Sequence, residues 1–314
     1  MKMQNVIIGT GPLAYWVMHE LIDSGKSVLL LNRSGKVAFK LPEMAEISAC
    51  DASNPNEVYE NCKGADVVYH CAMPPYTRWP ELFPPLMQGI VNGISRTNAK
   101  LIFGDNLYMY GPTGGKQLTE DLPYAASGHK GKTRALMAEL LLNSHAEGKI
   151  RTAIGRGSDF FGPHVVNAAF GEMFFDPAFN NKPVNLLGNI DQLHSLTYIK
   201  DFAKALIIMG EDDRALGKSW HVPCPKAIPV RNVVEIIEQE MGVKIKSRVA
   251  GRFIISIMGL FNPMIREVKE MLYTWEEPYV VDSSRFEKEF GMKATPLDVC
   301  MKETVEWFRE FLKK

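Results

Sequence analysis

Along its first hundred residues the chain alternates between short runs that are apolar at their heart and longer stretches whose apolar positions recur every three or four residues. The apolar runs fall at 6–8, 28–31, 47–50, 66–72 and 100–103, each of a length that suits a strand buried on both faces. Between them, Leu13, Trp16, Val17, Leu21 and Ile22 share one helical face, with Gly25 where a C-cap belongs. A brief helix is predicted over 56–61 and a longer one over 82–94, with Pro84 and Pro85 near its start. Further on, 129–146 reads as a helix burying Leu136, Leu140 and Leu141, and 150–154 as a sixth strand. Steady alternation of this kind predicts an α/β fold built on a doubly wound parallel sheet.

The first turn carries the most specific pattern. Val6, Ile7 and Ile8 run into Gly9-Thr-Gly11-Pro12-Leu13-Ala14, a G-x-G-x-x-A sequence set between strand and helix. Gly9 takes the tight turn, Gly11 lets backbone approach a pyrophosphate, and Ala14 lets the helix pack on the strand. Pro12 stands at the first helical position, where its missing N–H costs nothing. The helix N-terminus, including the backbone at Leu13, offers free N–H groups and a partial positive charge. A Rossmann dinucleotide site is the expectation.

The second strand ends in Asn32-Arg33-Ser34-Gly35-Lys36, about 20 residues beyond the glycines, where an acidic residue ordinarily binds the adenosine ribose of NAD. Asn32 carries no charge to repel a 2′-phosphate, the Arg33 guanidinium can fork onto one, and Ser34 and Lys36 add donors. NADP(H) is therefore preferred over NAD(H). Past residue 154 the alternation weakens: short strands are predicted at 184–187, 195–198 and 219–222, and helices at 201–209 and 230–241. Thr295 and Pro296 read as the N-cap and first residue of a final helix that puts Leu297, Met301, Val305, Phe308 and Leu312 on one face. We expect a dinucleotide-binding domain over 1–160, rejoined by segments near 184–210, and a smaller mixed C-terminal substrate lobe over 161–314, with 170–181 and 252–277 as insertions.

Composition narrows the classes. Lys and Arg number 36 against 36 Asp and Glu, which removes the basic excess of a nucleic-acid binder. The chain enters a core strand at once, so no signal peptide is expected, and its longest apolar stretch, 253–261, falls short of the roughly 20 residues that cross a bilayer. A cytoplasmic location with no membrane partner is the expectation. The five cysteines show no C-x-x-C pairing and read as reduced core residues, and the scattered histidines suggest no metal.

Taken together, the glycine turn, Asp51-Ala52, Cys71-Ala72, Tyr110-Gly111-Pro112, the 156–162 segment and Tyr198-Ile-Lys-Asp201 make the chain resemble the extended short-chain dehydrogenase/reductase superfamily, in its NAD-dependent epimerase/dehydratase branch. The resemblance implies that Asp51 and Ala52 contact adenine, that Cys71 and Ala72 line the cofactor, and that a small-molecule substrate is handled at the end of the fifth strand. It also implies a homodimer through helices near 82–95 and 132–146. Leu86, Met87, Met137 and Leu142 are the residues expected to supply its apolar surface, against a monomer with a few exposed methionines and leucines.

The chemistry departs from the family pattern. Such enzymes use a Ser or Thr after the fifth strand and a Y-x-x-x-K pair on the next helix. Here the Ser/Thr position is Asn106, Lys130 and Arg134 fall where Tyr and Lys belong, and Tyr124 is followed four residues later by Gly128. Asn106, Tyr108, Lys130 and Arg134 are thus the catalytic candidates. Three accounts are open: an atypical oxidoreductase or epimerase/dehydratase in which Lys130 or Tyr108 moves the proton and Arg134 orients ribose or an anionic substrate; an inactive NADP(H)-binding sensor or scaffold; and a non-redox enzyme that uses the cofactor structurally.

Overall fold

The computed structural model describes residues 4–252, 255 and 263–313. The chain divides into two compact units, one built from residues 1–109, 129–156 and 202–220, the other from 110–128, 157–201 and 221–314. In the first, six parallel strands follow the apolar runs: β1 (Asn5–Ile8), β2 (Val28–Asn32), β3 (Ala45–Ala49), β4 (Val67–His70), β5 (Lys100–Asp105) and β6 (Arg151–Arg156). Their order is β6-β5-β4-β1-β2-β3, with Ser219–His221 added beyond β6. The sheet therefore reverses direction of growth between β1 and β4, and the carboxyl ends at that reversal are where open α/β sheets bind ligands.

Four helices of this unit bear on the site: α1 (Pro12–Asp23), α2 (Pro55–Cys62), α3 (Trp79–Ile94) and α4 (His129–Ala146). Helix α3 begins three residues before the predicted start, because Trp79 and Pro80 already form its first turn and Pro84 and Pro85 are carried inside it. Gly93 lets α3 meet α2, since a Cβ there would stand 2.5 Å from the Val58 side chain. Met87 and Met137 are wholly buried, contrary to the expected exposure; only Leu86 and Leu142 of the four proposed contact residues are partly exposed, because the methionines point into the interior of the unit.

The second unit has its own core of Phe161, Phe170, Phe174, Phe175, Leu196, Val233, Ile237, Met301, Val305 and Phe308. The 170–181 segment, expected as an insertion, instead forms helix Glu172–Phe179, which contributes Phe174 and Phe175 to that core. The final helix runs Leu297–Phe311 rather than from Pro296. Thr295 does not cap it: its N–H and hydroxyl both donate to the Asp201 carboxylate, each at 2.7 Å. The stretch 253–261 lies outside the described residues apart from Ile255. Among the described residues no helix is long and apolar enough to cross a membrane.

Candidate functional site

At the end of β1, Gly9 adopts φ +114, and a Cβ there would lie 2.7 Å from the Ala72 backbone nitrogen and 2.9 Å from the Cys71 carbonyl carbon. Glycine is needed twice over, for the backbone angle and for the closeness of β4's trailing residues. This brings Gly9, Cys71 and Ala72 together across two neighbouring strand ends. Gly11 caps α1 with extended backbone and no side-chain hydrogen bond, and the space a Cβ would enter is open. No acidic residue occupies the first turn of α1. The N–H groups at Leu13 and Ala14 thus sit at an uncapped, partly positive helix end, and this geometry fits a pyrophosphate.

The loop after β2 is a self-supporting turn. Asn32 Oδ1 accepts from the Ser34 and Gly35 backbone N–H groups (3.1 and 2.7 Å) and from the Ser34 hydroxyl (3.2 Å), while its Nδ2 donates to Thr10 Oγ1 and the Lys36 carbonyl. The carboxamide is committed to holding the loop. Arg33 is left exposed at its tip. Facing it, Asp51 accepts from the Ser53 N–H (3.0 Å) and hydroxyl (2.7 Å); these bonds, with the Arg33 charge, hold its carboxyl below the usual range. Ala52 is buried against α3, where Gly89 allows the close approach.

The ends of β4, β5 and β6 are built differently. Asp105 is fully buried, and its Oδ1 accepts from Arg134 Nη1 at 2.9 Å and from the Asn106 backbone N–H at 2.8 Å. Arg156 approaches its other oxygen, Nε to Oδ2 3.9 Å. Burial raises the Asp105 carboxyl above the usual carboxylate range, and the Arg134 and Arg156 charges offset only part of that rise. The Arg134 guanidinium stacks between aromatic faces, 4.2 Å from the Trp79 centroid and 4.4 Å from that of Phe83. His70 lies flat on Phe103 (4.8 Å, 20°), and burial with the Arg134 charge pushes its pKa down to about 3. It is therefore a neutral imidazole at physiological pH.

Lys130 is also buried. Its Nζ donates to the Tyr76 carbonyl oxygen at 2.8 Å and rests 4.0 Å from the Tyr76 ring centroid and 5.4 Å from that of Trp79. The cations that crowd the start of α4 are thus partly inside the protein, where carbonyl and ring faces offset the unfavourable helix dipole. Asn106 turns its carboxamide oxygen to the Tyr108 N–H (3.1 Å). Tyr108 opens a single 3₁₀ turn, stacks near Trp79 (6.1 Å, 29°), and is partly exposed where Lys130 and Arg134 are not. Its phenol interacts electrostatically with Arg134. All the predicted site residues fall in the first unit, while Tyr124 lies in the second against Tyr110.

Sequence reasoning missed Asp105, Arg156, His70 and Trp79. A carboxylate closing an apolar strand was the available signal for Asp105, since such a group needs a buried cation. His70 and Trp79 sit in apolar runs where nothing marks them as neighbours of Arg134.

Residues 6–222 match the NAD dependent epimerase/dehydratase family. The chain is 26% identical over 250 residues to the sterol-4-alpha-carboxylate 3-dehydrogenase, decarboxylating, of Mus musculus, and 28% identical over 252 residues to that of Bos taurus. In each case 73% of this chain is aligned, and it spans 66% of the mouse enzyme and 67% of the bovine one. Its fold is similar to a UDP-glucuronic acid 4-epimerase from Bacillus cereus in complex with NAD (TM-score 0.79, 16% identity, 98% of this chain and 99% of that one). It is similar also to MoeE5 in complex with UDP-glucose and NAD (TM-score 0.78, 18% identity, 98% and 99%).

Proposed function

The chain belongs to the NAD dependent epimerase/dehydratase family, and from that premise we propose that it is an NADP(H)-dependent oxidoreductase acting on a small molecule with a secondary hydroxyl or a ketone. The uncapped α1 terminus beside Gly9 and Gly11 supports the cofactor half of the reading. When bound, the nicotinamide supplies the hydride donor or acceptor. Gly9, Gly11, Pro12, Leu13, Cys71 and Ala72 would hold the pyrophosphate and the neighbouring part of the cofactor, and Asp51 and Ala52 the adenine end. The exposed Arg33 supports the NADP(H) preference, because a guanidinium at the loop tip can pair with a 2′-phosphate and Asn32 adds no repelling charge. The named reaction of the sterol relatives and the UDP-sugar neighbours both fit a substrate with a secondary alcohol.

The chain's own residues then have to move the proton. Tyr108 is the group we assign to this step. It is the partly exposed tyrosine just beyond β5, and it interacts electrostatically with the buried Arg134 guanidinium. Lys130, tied to the Tyr76 carbonyl, adds positive charge and anchors the 73–79 loop. Asn106 holds the Tyr108 backbone where a Ser or Thr hydroxyl would stand in relatives. The observation that carries this reading is the partly exposed Tyr108 interacting with the buried Arg134, one helical turn from the buried Lys130 on α4.

The test is NADPH oxidation across a panel of ketones and aldehydes, alongside Tyr108→Phe. Loss of kcat by about 100-fold or more with NADPH affinity intact is expected. Full activity in Tyr108→Phe overturns the assignment, and tight NADPH binding with no turnover on any substrate favours a sensor or scaffold. The same reading includes a cytoplasmic location, in keeping with free thiols at all five cysteines. It also includes a homodimer through the outer faces of α3 and α4, where Leu86, Leu142 and Leu136, which is half-exposed rather than buried as its helical position predicts, supply apolar surface.

A further inference from the structure

We propose that Asp105 is a positioning residue for proton transfer, tying the Arg134 guanidinium on α4 to the backbone that carries Asn106 and Tyr108; this rests on Tyr108 being the proton-handling group. The geometry is a chain of three short bonds. Arg134 Nη1 donates to Asp105 Oδ1 (2.9 Å), the same oxygen accepts the Asn106 N–H (2.8 Å), and Asn106 Oδ1 accepts the Tyr108 N–H (3.1 Å). One carboxylate oxygen thus joins helix α4 to the loop leaving β5. In the family pattern the corresponding places are held by a lysine on the helix and small hydroxyl side chains on the loop. Here the helix cation is exchanged for a longer guanidinium, and the strand supplies a carboxylate to pin it.

Both partners are fully buried, so the link is shielded from water and screened little by salt. The Trp79 and Phe83 faces prevent the guanidinium from swinging toward another acceptor. Tyr108 is therefore held by the same carboxylate that sets how much of the Arg134 charge it feels. The charged and titratable groups gathered around this loop are Arg134 and Lys130 on α4, Asp105 and Arg156 at strand ends, His70 at the end of β4, and Tyr76 ahead of α3. A role in fold stability alone would require none of this coupling to the phenol.

The experiment reads Tyr108 without needing a substrate. The full chain is labelled with 3-fluorotyrosine, the Tyr108 fluorine resonance is assigned with Tyr108→Phe, and its titration is followed by NMR in the wild type and in variants. Asp105→Asn keeps an Oδ1 acceptor for Arg134 and Asn106 but removes the charge that offsets the guanidinium. Its Tyr108 midpoint is expected to fall by about one pH unit. Arg134→Met leaves the carboxylate without its helix cation, and the midpoint is expected to rise by about as much. The double variant, which removes both buried charges and so suits a chain in which either single variant fails to fold, is expected to shift or broaden the resonance as the tether is lost. Unmoved midpoints in the single variants, or an unchanged resonance in the double variant, overturn the positioning role. The Tyr108 assignment fails separately: if turnover survives Tyr108→Phe while the titration moves as expected, Asp105 positions the phenol but the phenol does not carry the proton.

Discussion

Two strand-end regions of the same sheet treat their polar groups in opposite ways. At β1 and α1 the helix N-terminus is left without a side-chain cap, and the space beside Gly11 is open. At β4, β5 and β6 the charged side chains are held by one another and by rings: Asp105 is bound by Arg134 and Asn106, Arg134 lies over the Trp79 and Phe83 rings, and Lys130 lies over Tyr76 and Trp79. The first arrangement suits an anion. The second largely completes itself, leaving the partly exposed Tyr108 as its point of contact. The lesson is that the glycine-turn side presents backbone donors suited to an anion, whereas the β4–β6 side is organised around an internal ion pair.

The comparison breaks most visibly at Arg134. Arg134→Met is expected to destabilise the protein by about 3–5 kcal/mol, because it strands a buried carboxylate. Urea unfolding measures this, and the Asp105→Asn/Arg134→Met double variant should recover a good part of the loss. NADPH affinity should change little; a large fall would mean that the two regions are not separable. Gly9→Val attacks the other side. With φ +114 and the Ala72 backbone in the way, it is expected to weaken NADPH binding by about 100-fold or more, read by fluorescence titration.

Arg33→Ala sharpens the cofactor assignment at a smaller scale. Loss of a charge-assisted contact, about 1.5–3 kcal/mol, should weaken NADPH by about 10- to 100-fold and leave NADH nearly unchanged. Equal losses for both cofactors would overturn the NADP(H) preference. The last effect concerns pH. His70 has its pKa lowered from 6.5 to about 3 in the folded protein, so the unfolded chain takes up a proton that the native state refuses. Its stabilising contribution is present above pH 6.5 and is lost as pH falls through the window toward 3, at up to about 1.4 kcal/mol per pH unit. His70→Leu should flatten that slope between pH 6 and 4 in urea midpoints measured across the range; an unchanged slope would show that His70 is not the group involved.

The sheet and its glycine turn were legible because their signals are local. Val6-Ile7-Ile8 followed by Gly9 and Gly11 needs no distant partner to be read as a strand entering a phosphate-binding turn. The departures from expectation all depend on remote partners. Thr295 looks like an N-cap until Asp201, 94 residues away, takes both of its donors. Met87 and Met137 sit on helices whose buried side the periodicity left open. The 170–181 segment lacked a strong pattern because its phenylalanines answer to Phe308 and their neighbours in the second core.

The sequence by itself determined the parallel sheet, the glycine turn, the uncharged Asn32 beside Arg33, and a helix after β5 that carries Lys130 and Arg134 rather than a Y-x-x-x-K pair, since each is a property of neighbouring residues. Only the tertiary structure decided what stands in that pair's place. Arg134 meets Asp105 across 29 residues and Lys130 meets the Tyr76 carbonyl across 54. Burial, which turns such charges from solvated side chains into obligate partners, is a consequence of packing and has no local pattern to announce it.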